Sequence, residues 1–169
     1  MINRRKKIAL LTAIGLSLSA CGTTDNNAPS QGYETYISDG QPFKHTHFED
    51  ISGHPIDLSK IKGNKLIILF ATWCSDSKRT FSELNASALI HDSSLTILAI
   101  GREESPESLA EFAKNYRFKF PLIADEKRQI YSQYANKGVP RLILLDENNR
   151  VVKTLIGETE NIIEQVTWN

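Results

Sequence analysis

Two almost unbroken apolar runs, Leu66-Ile67-Ile68-Leu69-Phe70 and Leu95-Thr96-Ile97-Leu98-Ala99-Ile100, constrain this chain more than any other feature. Neither alternates apolar with polar residues, so neither can lie as a strand with one face in water. Strands of this kind are buried on both sides, which requires a sheet covered by layers above and below. A helical pattern follows each run. Residues 75–89 place Phe81, Leu84 and Ala88 at helical spacing, and a second stretch places Leu109, Phe112, Ala113 and Tyr116 likewise. Strands alternating with helices specify an α/β domain.

The remaining elements follow from local signals. Residues 43–48 read as a short strand, with a turn at Ser52-Gly53 and an extended piece around Ile56. Ser105-Pro106-Glu107 gives a helix start, with a hydroxyl cap, proline at the first position and an acid in the first turn. Residues 120–123 read as a strand and 126–134 as a short helix. Two late strands, 141–145 and 151–156, flank the turn residues Asp146-Glu147-Asn148-Asn149, and 159–166 reads as a terminal helix.

The first twenty residues read as an address. Arg4-Arg5-Lys6-Lys7 precede an apolar stretch, residues 8–19, that is short for a membrane span. Leu18-Ser19-Ala20-Cys21 matches the lipobox of bacterial lipoproteins, which implies cleavage before Cys21 and a lipid anchor on it. By the same resemblance, Gly22 favours the outer membrane in a Gram-negative host. Cleavage removes four basic residues and leaves 16 basic against 20 acidic, a net charge of −4. With no basic stripe, nucleic acid is excluded as a partner. Residues 21–41 lack any apolar period and are expected to form a flexible, solvated tether, leaving residues 42–169 as one domain.

Only Cys21 and Cys74 carry sulfur that can be oxidised to a disulfide. With Cys21 lipidated, Cys74 is a lone thiol outside the cytoplasm, where structural cysteines are normally paired. It occupies Trp73-Cys74-Ser75-Asp76-Ser77, between a strand and a helix start, where free N–H groups and the helix dipole favour a thiolate. Together with Gly138-Val139-Pro140 before a late strand, this turn resembles the thioredoxin fold. The chain is similar to membrane-anchored, extracytoplasmic thiol–disulfide oxidoreductases of the redoxin superfamily. Phe48, Asp50, Gly53, Leu58, Lys62-Gly63, Pro121, Asp125, Tyr134, Asp146 and Val151-Val152 continue the match over about residues 42–167.

The resemblance implies a cis Pro140 packed on the thiol, with the Val139 backbone pairing an extended substrate and Trp73 walling the site. It also exposes departures. Ser77 replaces the resolving cysteine, so Cys-x-x-Ser stands for Cys-x-x-Cys. Thr80 stands where relatives carry an acid, and Arg141 where threonine is common. Ser77 is expected to donate a hydrogen bond to the thiolate or to serve simply in the first helical turn. Arg141 is expected either to hold the thiolate or a bound anion in the substrate groove, or to point into water. Asp76 is expected to be solvated.

A cysteine without a resolving partner exchanges by a monothiol route, and a protein or small-molecule thiol must complete the reaction. Two other functions compete with it. A redoxin-type peroxidase would use Cys74, Thr72 and Arg141, but Ala71 occupies the place of its characteristic threonine. A non-catalytic binding module would keep the groove without turnover. No cofactor is called for, since no glycine-rich phosphate loop appears. His45 and His47 lie at strand spacing but lack further ligands, so they are expected to be exposed rather than to hold metal.

Overall fold

A computed structural model describes residues 32–168 of the chain. The expected signal peptide, the lipidation site Cys21 and the first part of the tether lie outside the described residues. Among those residues no helix is long and apolar enough to cross a membrane.

The two apolar runs form the centre of a five-stranded mixed sheet. In chain order, β1 (His47–Glu49) and β2 (Pro55–Asp57) make a small hairpin. The main sheet contains β3 (Lys65–Phe70), β4 (Thr96–Arg102), β5 (Leu122–Asp125), β6 (Arg141–Leu145) and β7 (Val151–Ile156), ordered β5-β4-β3-β6-β7. The β3–β4 and β4–β5 pairs are parallel, and the β3–β6 and β6–β7 pairs antiparallel. All six residues of β3 are buried, as a strand without alternation requires.

Successive side chains of the sheet feed two separate cores, the period-two consequence of the pleat. Leu66, Ile68, Phe70, Ala99 and Leu142 face α1 (Ser75–Ala86) and α2 (Pro106–Tyr116), whose Phe81, Leu84, Leu109 and Phe112 close that side. Ile67, Leu69, Leu98, Ile100 and Ile143 face the opposite way, against Ile37, Phe43, Phe48, Tyr131 and Tyr134. α2 begins as expected, with the Ser105 side chain accepting from the Ser108 N–H and Pro106 in the first turn.

Three expectations are corrected. Residues 126–134 do not form a helix beyond one 3-10 turn, Tyr131–Gln133. Arg128 takes a left-handed φ of 57°, and the buried Asp125 carboxylate accepts from the Ile130 and Tyr131 N–H groups, which fixes a loop instead. The terminal helix is likewise a single 3-10 turn, Ile162–Gln165, and the left-handed Asn161 before it keeps it from starting at residue 159. The expected tether ends earlier than residue 41. Residues 32–41 lie on the domain, with Ile37 buried, the Tyr36 N–H bonded to the Tyr134 carbonyl, and Thr35 bridged to Ala135.

Candidate functional site

Cys74 stands just beyond the C-terminal end of β3 and caps the N-terminus of α1, with an extended backbone at φ −81° and ψ 124°. Its N–H donates to the Ala71 carbonyl and its own carbonyl accepts from the Lys78 N–H, so the turn is closed from both sides. The Sγ is partly exposed and donates to the Val139 carbonyl oxygen at 3.2 Å. The Val139–Pro140 peptide bond is cis. The thiol and the loop before β6 therefore face each other, as the resemblance implies.

Trp73 is 64% exposed beside this thiol. The Arg102 guanidinium, from the end of β4, lies 6.0 Å from its ring centroid and 4.9 Å from that of Tyr131. Arg128 covers Tyr131 as well, at 5.0 Å, and the Tyr131 hydroxyl donates to the Gly138 carbonyl at 2.6 Å. Indole and phenol faces attract guanidinium groups through their quadrupoles, so these contacts stiffen the rim of the site.

Ser77 is fully buried beneath the turn. Its Oγ accepts from the Ala71 N–H at 3.4 Å, and among the described residues it makes no hydrogen bond with the Cys74 sulfur. The expected thiolate donor is thus a brace for the strand-to-helix turn. Arg141 is corrected more sharply. It is 3% exposed and neither reaches the sulfur groove nor points into water. Its Nη1 donates to Thr35 Oγ1 at 2.8 Å and its Nη2 to the Lys137 carbonyl at 2.5 Å. Its remaining bonds reach the Gly138 and Glu34 carbonyls, both at 3.3 Å. Asp76 is not freely solvated either, since its Oδ1 lies 2.6 Å from Arg79 Nη1 one helical turn on.

Two further residues shape the site. Glu104 is a buried carboxylate whose Oε1 accepts from both the Thr72 N–H (2.7 Å) and the Thr72 hydroxyl (2.6 Å), while Oε2 accepts from the Ser108 hydroxyl. It ties the residue before Trp73 to the start of α2. Its sequence signal was present but ambiguous, because an acid just before Ser105-Pro106 also suits a helix start. Gly157 lies against the cis-proline. A Cβ there would sit 2.5 Å from Pro140 Cγ and 3.2 Å from the buried Thr80 Oγ1, so the approach of β7's end to the site requires glycine.

The histidines separate. His45 is partly buried, with its Nδ1 2.8 Å from the Tyr134 hydroxyl, and burial lowers its pKa. His47 is exposed and faces Asp57 at 3.5 Å. The expectation of two exposed strand histidines holds for His47 only.

A cysteine capping a helix at the end of a central strand, opposed by a cis-proline, on a mixed sheet of this order defines a thioredoxin-like protein. The chain belongs to the AhpC/TSA family, whose pattern matches residues 40–154. It is 31% identical over 166 residues to the thiol-disulfide oxidoreductase ResA of Bacillus subtilis, covering 96% of this chain and 92% of that protein. Among solved structures, a putative protein disulfide isomerase from Bacteroides thetaiotaomicron shares the fold with a TM-score of 0.66 and 23% identity, over 80% of this chain and 89% of that one. A putative thiol:disulfide interchange protein DsbE from Chlorobium tepidum does so with a TM-score of 0.64 and 20% identity, over 76% and 94% of the two chains.

Proposed function

We propose that this protein is a lipid-anchored, extracytoplasmic oxidoreductase of thioredoxin type that works by monothiol exchange through Cys74. One observation carries the reading: a partly exposed thiol at a helix N-terminus meets the cis-proline loop, while the residue one turn on is a buried serine. The Cys74 thiolate attacks a partner disulfide, forming a Cys74–partner disulfide and releasing the partner's other sulfur as a thiolate. A second thiolate, from a small molecule or another protein, then attacks the partner sulfur and returns Cys74 to its reduced form. Each step exchanges one S–S bond for another, so electrons balance without a cofactor.

Trp73 and the Val139-Pro140 backbone form the substrate groove in this reading. The membrane anchor at Cys21 and the placement outside the cytoplasm are supported by the basic, apolar and lipobox segments in their order. The peroxidase alternative is disfavoured because Arg141 spends its donors on Thr35 and three carbonyls rather than on the sulfur.

The test uses the full chain with Cys21→Ser, so that Cys74 is the sole thiol. Incubation with glutathione disulfide should add one glutathione by mass, absent in Cys74→Ser, and added thiol should remove it. An adduct that forms but resists added thiol would replace the enzyme with a binding module, and no adduct would overturn both. Loss of membrane fractionation in Cys21→Ser checks the anchor.

A further inference from the structure

Residues 32–37 lie against the loop that carries Val139 and Pro140 and are fastened to it at several points. The Asn136 side chain donates to the Gly32 carbonyl and accepts from the Glu34 N–H, both at 2.9 Å. The Tyr33 ring lies against Gly138, where a Cβ would approach it to 2.6 Å, and Gly138 itself takes a φ of +85°. The Tyr33 hydroxyl donates to Glu158, the residue after the glycine that packs on Pro140. Tyr33 therefore bridges the two segments that flank the cis-proline. Lys137 Nζ and the Arg141 guanidinium each lie 5.6 Å from its ring centroid.

Arg141 is the bolt of this assembly. From a buried position at the start of β6 its planar fork reaches the strap at Thr35 and Glu34 and the loop at Lys137 and Gly138. A guanidinium serves this geometry because its donors are rigidly directed. The next carbonyl along the loop is that of Val139, which accepts from the Cys74 thiol. A loop residue fixed by its neighbours gives up conformational freedom, and that cost is met here by the strap's hydrogen bonds.

The geometry points to residues 32–37 as a working part of the Cys74 site: the strap, bolted by Arg141, holds the Val139 carbonyl against the thiol. Arg141, Thr35 and Tyr33 are positioning residues in this arrangement. The inference concerns the same thiol as the proposed exchange and rests on that reading for its functional meaning. Its physical core, the state of the thiol's hydrogen bond, can be read independently of turnover.

The experiment compares Arg141→Lys, Thr35→Val and Thr35→Ser in the full chain carrying Cys21→Ser. Lysine keeps the charge but cannot span four acceptors, valine removes the Thr35 hydroxyl at nearly constant shape, and serine retains it. The Raman S–H stretch, which rises in frequency when a thiol stops donating, reports the Val139 contact directly. In Arg141→Lys and Thr35→Val the band should shift upward and the rate of Cys74 alkylation at fixed pH should change at least threefold. Thr35→Ser should restore both. Thr35→Val removes one hydrogen bond and should remain folded even where Arg141→Lys does not. A lower melting temperature with an unmoved S–H band and alkylation rate would overturn the inference and leave the strap purely structural. Failure of wild-type Cys74 to form any mixed disulfide would instead overturn the exchange reading, while the band would still decide the role of the strap.

Discussion

The Cys74 Sγ donates to the carbonyl oxygen of Val139, 65 positions along the chain, across 3.2 Å. Only the protonated thiol can make this contact. Once the proton leaves, a sulfur anion faces the negative end of a carbonyl dipole, while free N–H groups at the start of α1 attract it. The Val139 carbonyl thus holds the thiol, while among the described residues the N-terminus of α1 makes no hydrogen bond to the sulfur. In the proposed exchange the thiol must leave the Val139 carbonyl before it attacks.

Little else depends on the sulfur, because it is partly exposed and makes one hydrogen bond. Cys74→Ser and Cys74→Ala should therefore fold normally, with unfolding free energies within about 1 kcal/mol of the parent by urea titration. In the Cys21→Ser background both should lose all capacity to form mixed disulfides. A large destabilisation would show that the cysteine is a packing residue first.

Glu104 should behave in the opposite way. Its carboxylate accepts three hydrogen bonds, two from Thr72 and one from Ser108, in a buried place. Glu104→Ala leaves those donors without partners and should cost about 3 kcal/mol in denaturant unfolding. Glu104→Gln keeps the oxygen that faces Thr72 and should cost about half as much. Equal losses in the two variants would mean that the carboxylate's charge, rather than its acceptor geometry, holds the turn.

The contrast between Cys74 and Arg141 shows what a sequence of this kind reveals. The turn at Trp73-Cys74 was legible because a buried strand, a helix start and a lone thiol coincide within a dozen residues. The strands β6 and β7 were legible to the residue, since apolar runs flank four consecutive turn formers. Arg141 was not, because a buried guanidinium bonded to main-chain carbonyls leaves no mark on residue type, and its partner Thr35 lies 106 positions away. The strap was hidden for the same reason: its fastenings, such as Arg141 to Thr35 and Asn136 to Gly32 and Glu34, join residues 102 to 106 positions apart. The helix expected at 126–134 failed because Arg128 adopts a left-handed conformation that its identity does not announce.

His45 adds a pH dependence. Burial lowers its pKa from 6.5, so the folded protein binds this proton less readily than the unfolded chain does. Stability is then complete above pH 6.5 and falls as the pH drops from 6.5 through the lower folded value. His45→Gln should flatten the unfolding free energy against pH within that window, measured by urea titration at several pH values. An unchanged slope would place the proton uptake elsewhere.

Restoring a second sulfur tests how much of the dithiol architecture the fold retains. Ser77 lies one turn from Cys74, buried, with its Oγ turned to the Ala71 N–H. In Ser77→Cys the new sulfur is a poorer acceptor for that N–H, which frees it to turn toward Cys74. Residues three apart on a helix are neighbours with Cβ atoms about 5–6 Å apart, and a disulfide needs about 3.5–4.5 Å, so closure requires a small approach of the two residues at the helix start. In the Cys21→Ser background, mild oxidation should therefore take the free-thiol count of the folded protein from two to zero, with the loss of two hydrogens by mass. The bond should form within one molecule at any protein concentration. Two persistent thiols would mean that the buried pocket at Ala71 holds residue 77 away from the sulfur. The monothiol character of the site would then be built into the turn rather than follow from one missing atom.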